Sequence, residues 1–253
     1  HYADLAEALA RGGRAEHHEI TLAEGATIFH MADYLDEEGI VERDGFLEAA
    51  RDPRALALAG LEAESFEGYL FPDTYQVRED VGADEIIELA HARWQAVWLS
   101  IQAQHEESLE ELVDEHGLDR HELVTLASLV ERETASDEER PIVARVFLNR
   151  LEEGMPLQSD PTCVYGEDTY DKAPTPDLCK DSLNRYSTYV EDGLPPGPVA
   201  NPSRASLAAV ADPSDDPDAM EYLYFVARRD GTQRHHFSKN FEEHKRAIQR
   251  YLR

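Results

Sequence analysis

The sequence predicts an α+β protein in which a small α/β unit precedes a larger domain of helices and short strands. Helical apolar periodicity recurs along most of the chain, brief alternating runs such as "YLYFVA" at 222–227 read as strands, and a Pro-, Gly-, Asp- and Thr-rich stretch at 155–200 interrupts them. With 253 residues, 42% of them apolar, the chain is long enough for one main core and something smaller beside it.

Residues 2–10, "YADLAEALA", read as a short helix, "HHEITLAEG" as a strand running into a turn, and "ATIFHMADYLDEEGI" as a helix with Ile28, Met31, Ala32 and Leu35 on one face. Helical "RDGFLEAARDPRAL" follows. The aromatic "ESFEGYLFPDTYQV" at 64–77 is broken by Gly68 and Pro72, and a boundary is placed there, giving units 1–64 and 65–253. A long helix is expected over 83–104, its buried stripe formed by Ile87, Ala90, Trp94, Val97, Trp98 and Ile101.

"DRHE" signals the next helix, with Asp119 as cap and Glu122 reaching back, so that it runs from about 120 to 133. "SDEE" at 136–139 offers another cap for a helix that ends before Gly154, although Pro141 blurs its start. After the long loop come a helix from "NPSRASLAAVAD", with Asn201 as cap and Pro202 in the first turn, a strand at 222–227, a turn at "RDGT", a strand "RHHFS", and a last helix opened by "NFEE".

Charge narrows the function classes. There are 53 acidic residues against 24 Lys and Arg, a formal net charge of −29, and Lys occurs only at Lys172, Lys180, Lys239 and Lys245. Nucleic acid and anionic membrane surfaces are poor partners for such a surface. No apolar run is long enough to span a bilayer. Because the chain opens on His1 in what reads as mid-helix, it is expected to be part of a longer protein.

The chemistry centres on "LVTLASLVERET". At 100° per residue, Leu126, Leu129, Val130 and Glu133 fall within about 100° of one another, whereas Glu131 points nearly the opposite way. An apolar face, the negative end of the helix dipole and limited water should all raise the Glu133 pKa, as a general acid requires. The alternative is a Glu at a fraying helix end, paired with Arg132 or Arg150.

"LQSDPTCVYG" supplies Gln158, Ser159, Asp160, Thr162 and Tyr165, and "NRYSTY" supplies Asn184, Tyr186, Ser187, Thr188 and Tyr189. Amides and hydroxyls suit sugar hydroxyls and acetamido groups, and tyrosine faces suit pyranose rings; capped turns or a filled groove would use the same residues. No metal or cofactor is expected. His235 and His236 are adjacent on a strand and point to opposite faces, and HExxH, GxSxG and phosphate-loop patterns are missing from the sequence. Cys163 and Cys179 read equally as two thiols or as one disulfide.

Five stretches in order, "EGYLFPDTY", "ASLVERETASDEERPIVARVFLNRL", "GMPLQSDPTCVYG", "YSTYVEDGLPPGPVANPSRASLAAV" and "YLYFVA…HHFSKNFEEH", resemble the motifs of the YceG-like (MltG) endolytic murein transglycosylases. The likeness runs from about residue 64 to the end, with a weaker similarity to the family's LysM-like region over residues 1–50. It implies a bacterial envelope enzyme, held outside the cytoplasmic membrane by a transmembrane helix preceding this chain. Its substrate would be nascent peptidoglycan, cut at the MurNAc-β-1,4-GlcNAc bond to leave 1,6-anhydroMurNAc ends, with peptidoglycan synthases as partners.

The resemblance places the catalytic glutamate, the one directly before Thr in E-x-E-T, on Glu133. It makes Gln158, Ser159, Asp160, Thr162, Tyr165, Tyr186 and Thr188 substrate-binding candidates. Two departures stand out: the usual YNTY reads "YSTY", with Ser187 in place of Asn, and the usual EEHN reads "EEHK", with Lys245. A noncatalytic glycan-binding or scaffold protein and a hydrolytic muramidase are the competing readings.

Overall fold

A computed structural model describes residues 17–252. The helix expected over 2–10 lies outside the described residues. The chain runs β1 (His17–Thr21), α1 (Ile28–Glu37), α2 (Arg43–Ala49), α3 (Pro53–Leu58), β2 (Thr74–Arg78), α4 (Ala83–Gln104), α5 (Glu106–His116), α6 (Arg120–Glu133) and α7 (Arg140–Glu152). Single turns α8 (Asp160–Cys163) and α9 (Pro176–Cys179) punctuate the long loop. Then follow α10 (Arg204–Ala211), a 3₁₀ turn (Ala219–Glu221), β3 (Tyr224–Ala227), β4 (His235–Ser238) and α11 (Phe241–Tyr251).

The result is α+β, with two separate antiparallel pairs. β1 pairs with β2, Ile20 opposite Tyr75, and β3 pairs with β4, Phe225 opposite Phe237. Tyr75 and Val77 alternate inward along β2 while Thr74, Gln76 and Arg78 face water. This strand went unread because Gly68 and Pro72 precede it closely. The β1–β2 pairing spans residue 65, and one continuous core extends from Ile20 to Ala211.

Helix α6 starts where the capping box places it: Asp119 accepts from the Glu122 amide and Glu122 accepts from the Asp119 amide, each at 2.9 Å. Residues from Leu123 to Val130 are all buried, because α7 and α10 pack on this helix. Thr134 is extended, with φ −143° and ψ 137°, so Glu133 is the last helical residue.

Two expected caps are replaced. Before α7 the Ser136 side chain does not cap; its carbonyl accepts from the amides of Glu139 and Arg140, and Pro141 sits in the first turn, where it withdraws no helical hydrogen bond. Helix α10 is capped by Ser203, whose hydroxyl accepts from the Ser206 amide. Asn201 is instead buried in the core, accepting from the Leu70 amide at 3.0 Å and donating to Glu67 at 2.7 Å. Helix α5 was not anticipated; it is strongly acidic, and only Leu109 and Leu112 are buried, too few to make a clear stripe.

Gly68 shows why the aromatic segment turns as it does. Its φ is +84°, and an added Cβ would lie 2.4 Å from Pro198 Cγ, so the two loops meet where only glycine fits. Next to it Tyr69 packs edge-on against Trp94 at 4.8 Å, and Trp94 stacks on Trp98 at 5.8 Å, both tryptophans buried, as their positions on the helical stripe require. Among the described residues no helix is long and apolar enough to cross a membrane.

Candidate active site

Glu133 ends α6 beside the start of the long loop, and its Oε1 accepts a 2.5 Å hydrogen bond from Ser159 Oγ. Ser159 is fixed by a knot of hydroxyls joining two distant stretches. Its amide donates to Thr188 Oγ1 at 3.0 Å, its carbonyl accepts from Thr162 Oγ1 at 2.6 Å, and the two threonine hydroxyls are 3.0 Å apart. The Thr188 carbonyl accepts from the Gln158 amide. Ser159, Thr162 and Thr188 are buried, and through Ser159 this knot meets the Glu133 side chain.

The carboxyl faces a cavity of about 430 Å³. It is lined by Gln158, Asp160 and Tyr189 of the long loop, by Tyr224, Phe225, Val226 and Ala227 of β3, His235 of β4, and Phe241 and His244 of α11, and by Arg150 of α7. A larger hollow of about 810 Å³ follows Leu99, Ala103, Leu109 and Val113, but its polar lining is mainly exposed carboxylates. Size therefore does not select the site; the chemistry of the lining does.

Burial pushes the Glu133 pKa up to about 7, with Asp160 adding to the rise, while the Ser159 hydrogen bond and the charges of Arg150 and Arg132 hold it down. Neither arginine pairs with it. Arg132 donates to the Gly25 carbonyl, and Arg150 donates to the carbonyls of Leu223 and Leu157. A carboxyl in this state can hold a proton near neutral pH and release it without a large energetic gap.

The sequence model of the YceG-like family matches residues 1–250. The chain belongs to the YceG-like family. Among curated relatives it is 35% identical to the endolytic murein transglycosylase of Bacillus subtilis (strain 168) over 188 residues, 74% of this chain and 48% of that protein. To the protein of the same name from Streptococcus pneumoniae serotype 2 it is 29% identical, covering 98% of this chain and 48% of the relative. The chain thus spans about half the length of the curated relatives it matches.

The crystal structure of a YceG-like protein from Listeria monocytogenes superposes with a TM-score of 0.75 at 26% identity, covering 96% of this chain and 80% of that one.

In this YceG-like chain the sequence candidates divide into three groups. Gln158 and Asp160 line the cavity with Glu133; Asp160 accepts from the Tyr189 hydroxyl at 2.6 Å, and Gln158 has a φ of +48°, left-handed backbone at a non-glycine residue. Ser159, Thr162 and Thr188 stand behind it. Tyr165 and Tyr186 are elsewhere: their rings are 4.5 Å apart, and the Tyr165 hydroxyl donates to buried Glu67 at 3.1 Å. Glu67 itself is pushed up to about 8 by burial, against the donors around it.

Glu131, the other carboxylate of "ERE", is fully engaged at the start of α10, accepting from the Ser203 amide and hydroxyl and from the Ser206 hydroxyl. The cavity wall from Tyr224 to His244 was not assigned from sequence, although "YLYFVA" and "NFEEH" marked its elements. His235 faces it, its Nδ1 2.8 Å from Glu139 Oε2, while His236 packs on Tyr251 on the other side of the strand.

Cys163 and Cys179, 16 residues apart, form a disulfide that closes part of the loop. Ser187 is buried and donates to the Cys179 carbonyl at 2.7 Å, so the position braces that loop. Among the described residues the one metal-compatible cluster is Asp160 with these two cysteines, whose sulfurs are bonded to each other.

Proposed function

We propose that this YceG-like chain is the catalytic part of an endolytic lytic transglycosylase that cuts the MurNAc-β-1,4-GlcNAc bond of nascent peptidoglycan. The observation that carries the reading is Glu133: a recessed carboxyl raised to about 7, anchored through one oxygen and open to a cavity of sugar-compatible aromatic and amide groups. The names of the curated relatives support the same substrate class.

In this mechanism protonated Glu133 gives its proton to the leaving glycosidic oxygen as oxocarbenium character develops at the muramic acid C1, with the substrate's acetamido group assisting. The Glu133 carboxylate then takes the proton of the C6 hydroxyl as that oxygen attacks C1. The product is a 1,6-anhydroMurNAc end, and no water is consumed. Since Oε1 is occupied by Ser159, Oε2 is the atom that carries the proton in both steps.

Hydrolysis by a muramidase is the second reading, because Asp160 lines the same cavity and a hydrolase commonly needs a second carboxylate. Asp160 is committed through one oxygen to Tyr189, which favours a positioning role. We read β1 through β2, a strand, helices and a pairing strand, as the LysM-like part, which carries the unit beyond residue 64 to Arg78. Placement in the bacterial envelope, an anchor preceding this chain and contact with peptidoglycan synthases belong to the same proposal.

Mass spectrometry of products from uncrosslinked peptidoglycan strands, incubated with this chain and with Glu133→Gln, tests it. Anhydromuramyl ends from the parent alone are expected. Reducing muramyl ends would assign hydrolysis, and anhydro ends from both proteins would remove Glu133 from its role.

A further inference from the structure

Arg150 is a buried cation with no anionic partner. The residue is 7% exposed, yet among the described residues no carboxylate lies within ion-pairing distance of it. Nε donates to the Leu223 carbonyl and Nη1 to the Leu157 carbonyl, both at 2.6 Å, and the guanidinium lies over the Tyr224 ring at 5.4 Å. Two carbonyl dipoles and a ring face orient the group without neutralising it. Among the described residues Nη2 has no acceptor, and it is not sealed from solvent.

Among the described residues Arg150 is also the one Lys or Arg lining the Glu133 cavity. In a chain of net charge −29, with Asp and Glu abundant, a carboxylate partner for a buried guanidinium would be easy to supply. Keeping such a group desolvated and unpaired is costly unless something arrives to pair with it. Guanidinium forks suit carboxylates in particular.

We propose that Arg150 is the receptor for a carboxylate of the glycan substrate, and so a specificity-determining residue of the cavity. This rests on the peptidoglycan reading of the site. A muramyl unit carries a lactyl ether whose carboxylate is free when the strand bears no peptide and is tied up as an amide when it does. Stem peptides bring carboxylates of their own. A bound carboxylate also cancels the pull of Arg150 on Glu133, and thereby favours the protonated acid at the moment substrate is in place.

The test measures binding to Glu133→Gln, which separates recognition from turnover. The ligands are a peptide-free GlcNAc-MurNAc tetrasaccharide with free lactyl carboxylates, its lactyl methylamide, the same tetrasaccharide with peptide stems, and a GlcNAc tetramer. The free acid is expected to bind about tenfold more tightly than the methylamide and the GlcNAc tetramer, a preference that shrinks in 0.5–1 M salt (roughly, from screening) and disappears in Glu133→Gln with Arg150→Gln.

Equal binding of acid and methylamide, a preference that survives Arg150→Gln, or no binding of any of these ligands overturns the proposal. Tight, Arg150-dependent binding of the stem-bearing ligand alone assigns the carboxylate to the peptide in place of the lactyl group. Should Arg150→Gln fail to fold, the Arg150 Hε–Nε resonance of Glu133→Gln gives the answer, since it moves with the acid and not with the methylamide if the pairing is real. Product analysis of the parent stands apart from these outcomes: discrimination without cleavage would sink the transglycosylase reading and leave the subsite, and cleavage without discrimination would do the reverse.

Discussion

Ser159 Oγ and Glu133 Oε1 are 2.5 Å apart, with the hydroxyl donating. This contact joins the end of α6 to the long loop and occupies one of the two carboxyl oxygens. It stabilises the charged form of Glu133, the reverse of what burial does, and so places the pKa between the two pulls.

Removing the hydroxyl removes the downward pull. In Ser159→Ala the Glu133 pKa rises above its value of about 7, so the alkaline limb of kcat, where the acid loses its proton, moves to higher pH. Below that limb kcat falls roughly tenfold, because the carboxyl is less well positioned. A pH profile of anhydromuramyl production checks both; an unmoved limb would show that the bond does not govern the titration.

The same burial makes Glu133 a stability liability. Its pKa is about 7 in the fold against 4.5 as the ordinary value, so from pH 4.5 to 7 the native chain retains a proton the unfolded chain has lost, and stability falls as pH rises through that window. Glu133→Gln is therefore expected to be as stable as the parent near pH 4.5 and more stable by on the order of 2 kcal/mol at pH 7.5. Urea midpoints at both pH values decide it, and a constant difference would contradict the assigned pKa.

Glu131 behaves oppositely. Its carboxylate satisfies the first turn of α10 through Ser203 and Ser206 and also meets Arg140. Glu131→Ala should cost about 3 kcal/mol, the loss of several buried charge-assisted hydrogen bonds, while activity per folded molecule stays within about twofold. Urea unfolding alongside specific activity corrected for folded fraction would separate this from a catalytic defect.

Gly68→Ala combines a φ of +84° with a Cβ placed 2.4 Å from Pro198 Cγ. The substitution is expected to destabilise by about 3 kcal/mol or more, since the proline ring is backbone-tethered and cannot yield like a flexible side chain. A melting temperature within a degree or so of the parent would show that the two loops separate readily.

Local signals determined much of this from sequence alone. The limits of α6 follow from a capping box four residues long and an apolar period that ends at Val130, so Arg120–Glu133 was legible; that Glu131 is buried too, its side chain 6% exposed beside Arg140 and the start of α10, was not. So was the Trp94 stripe of α4. The Asn201 cap and the Ser136 cap were misread, because a cap-forming residue type is also a good core donor or turn acceptor, and only packing chooses.

What the tertiary structure alone decided is the company Glu133 keeps. Ser159 reaches it from 26 positions away, and His235 meets Glu139 across 96. No periodicity connects such segments, since the pairing is set by how α7, the long loop and the β3–β4 hairpin pack together. Sequence supplied an ionisable group on an apolar face; burial, one hydroxyl and an unpaired Arg150 gave it a pKa and a cavity, because these are properties of surrounding volume and not of chain order.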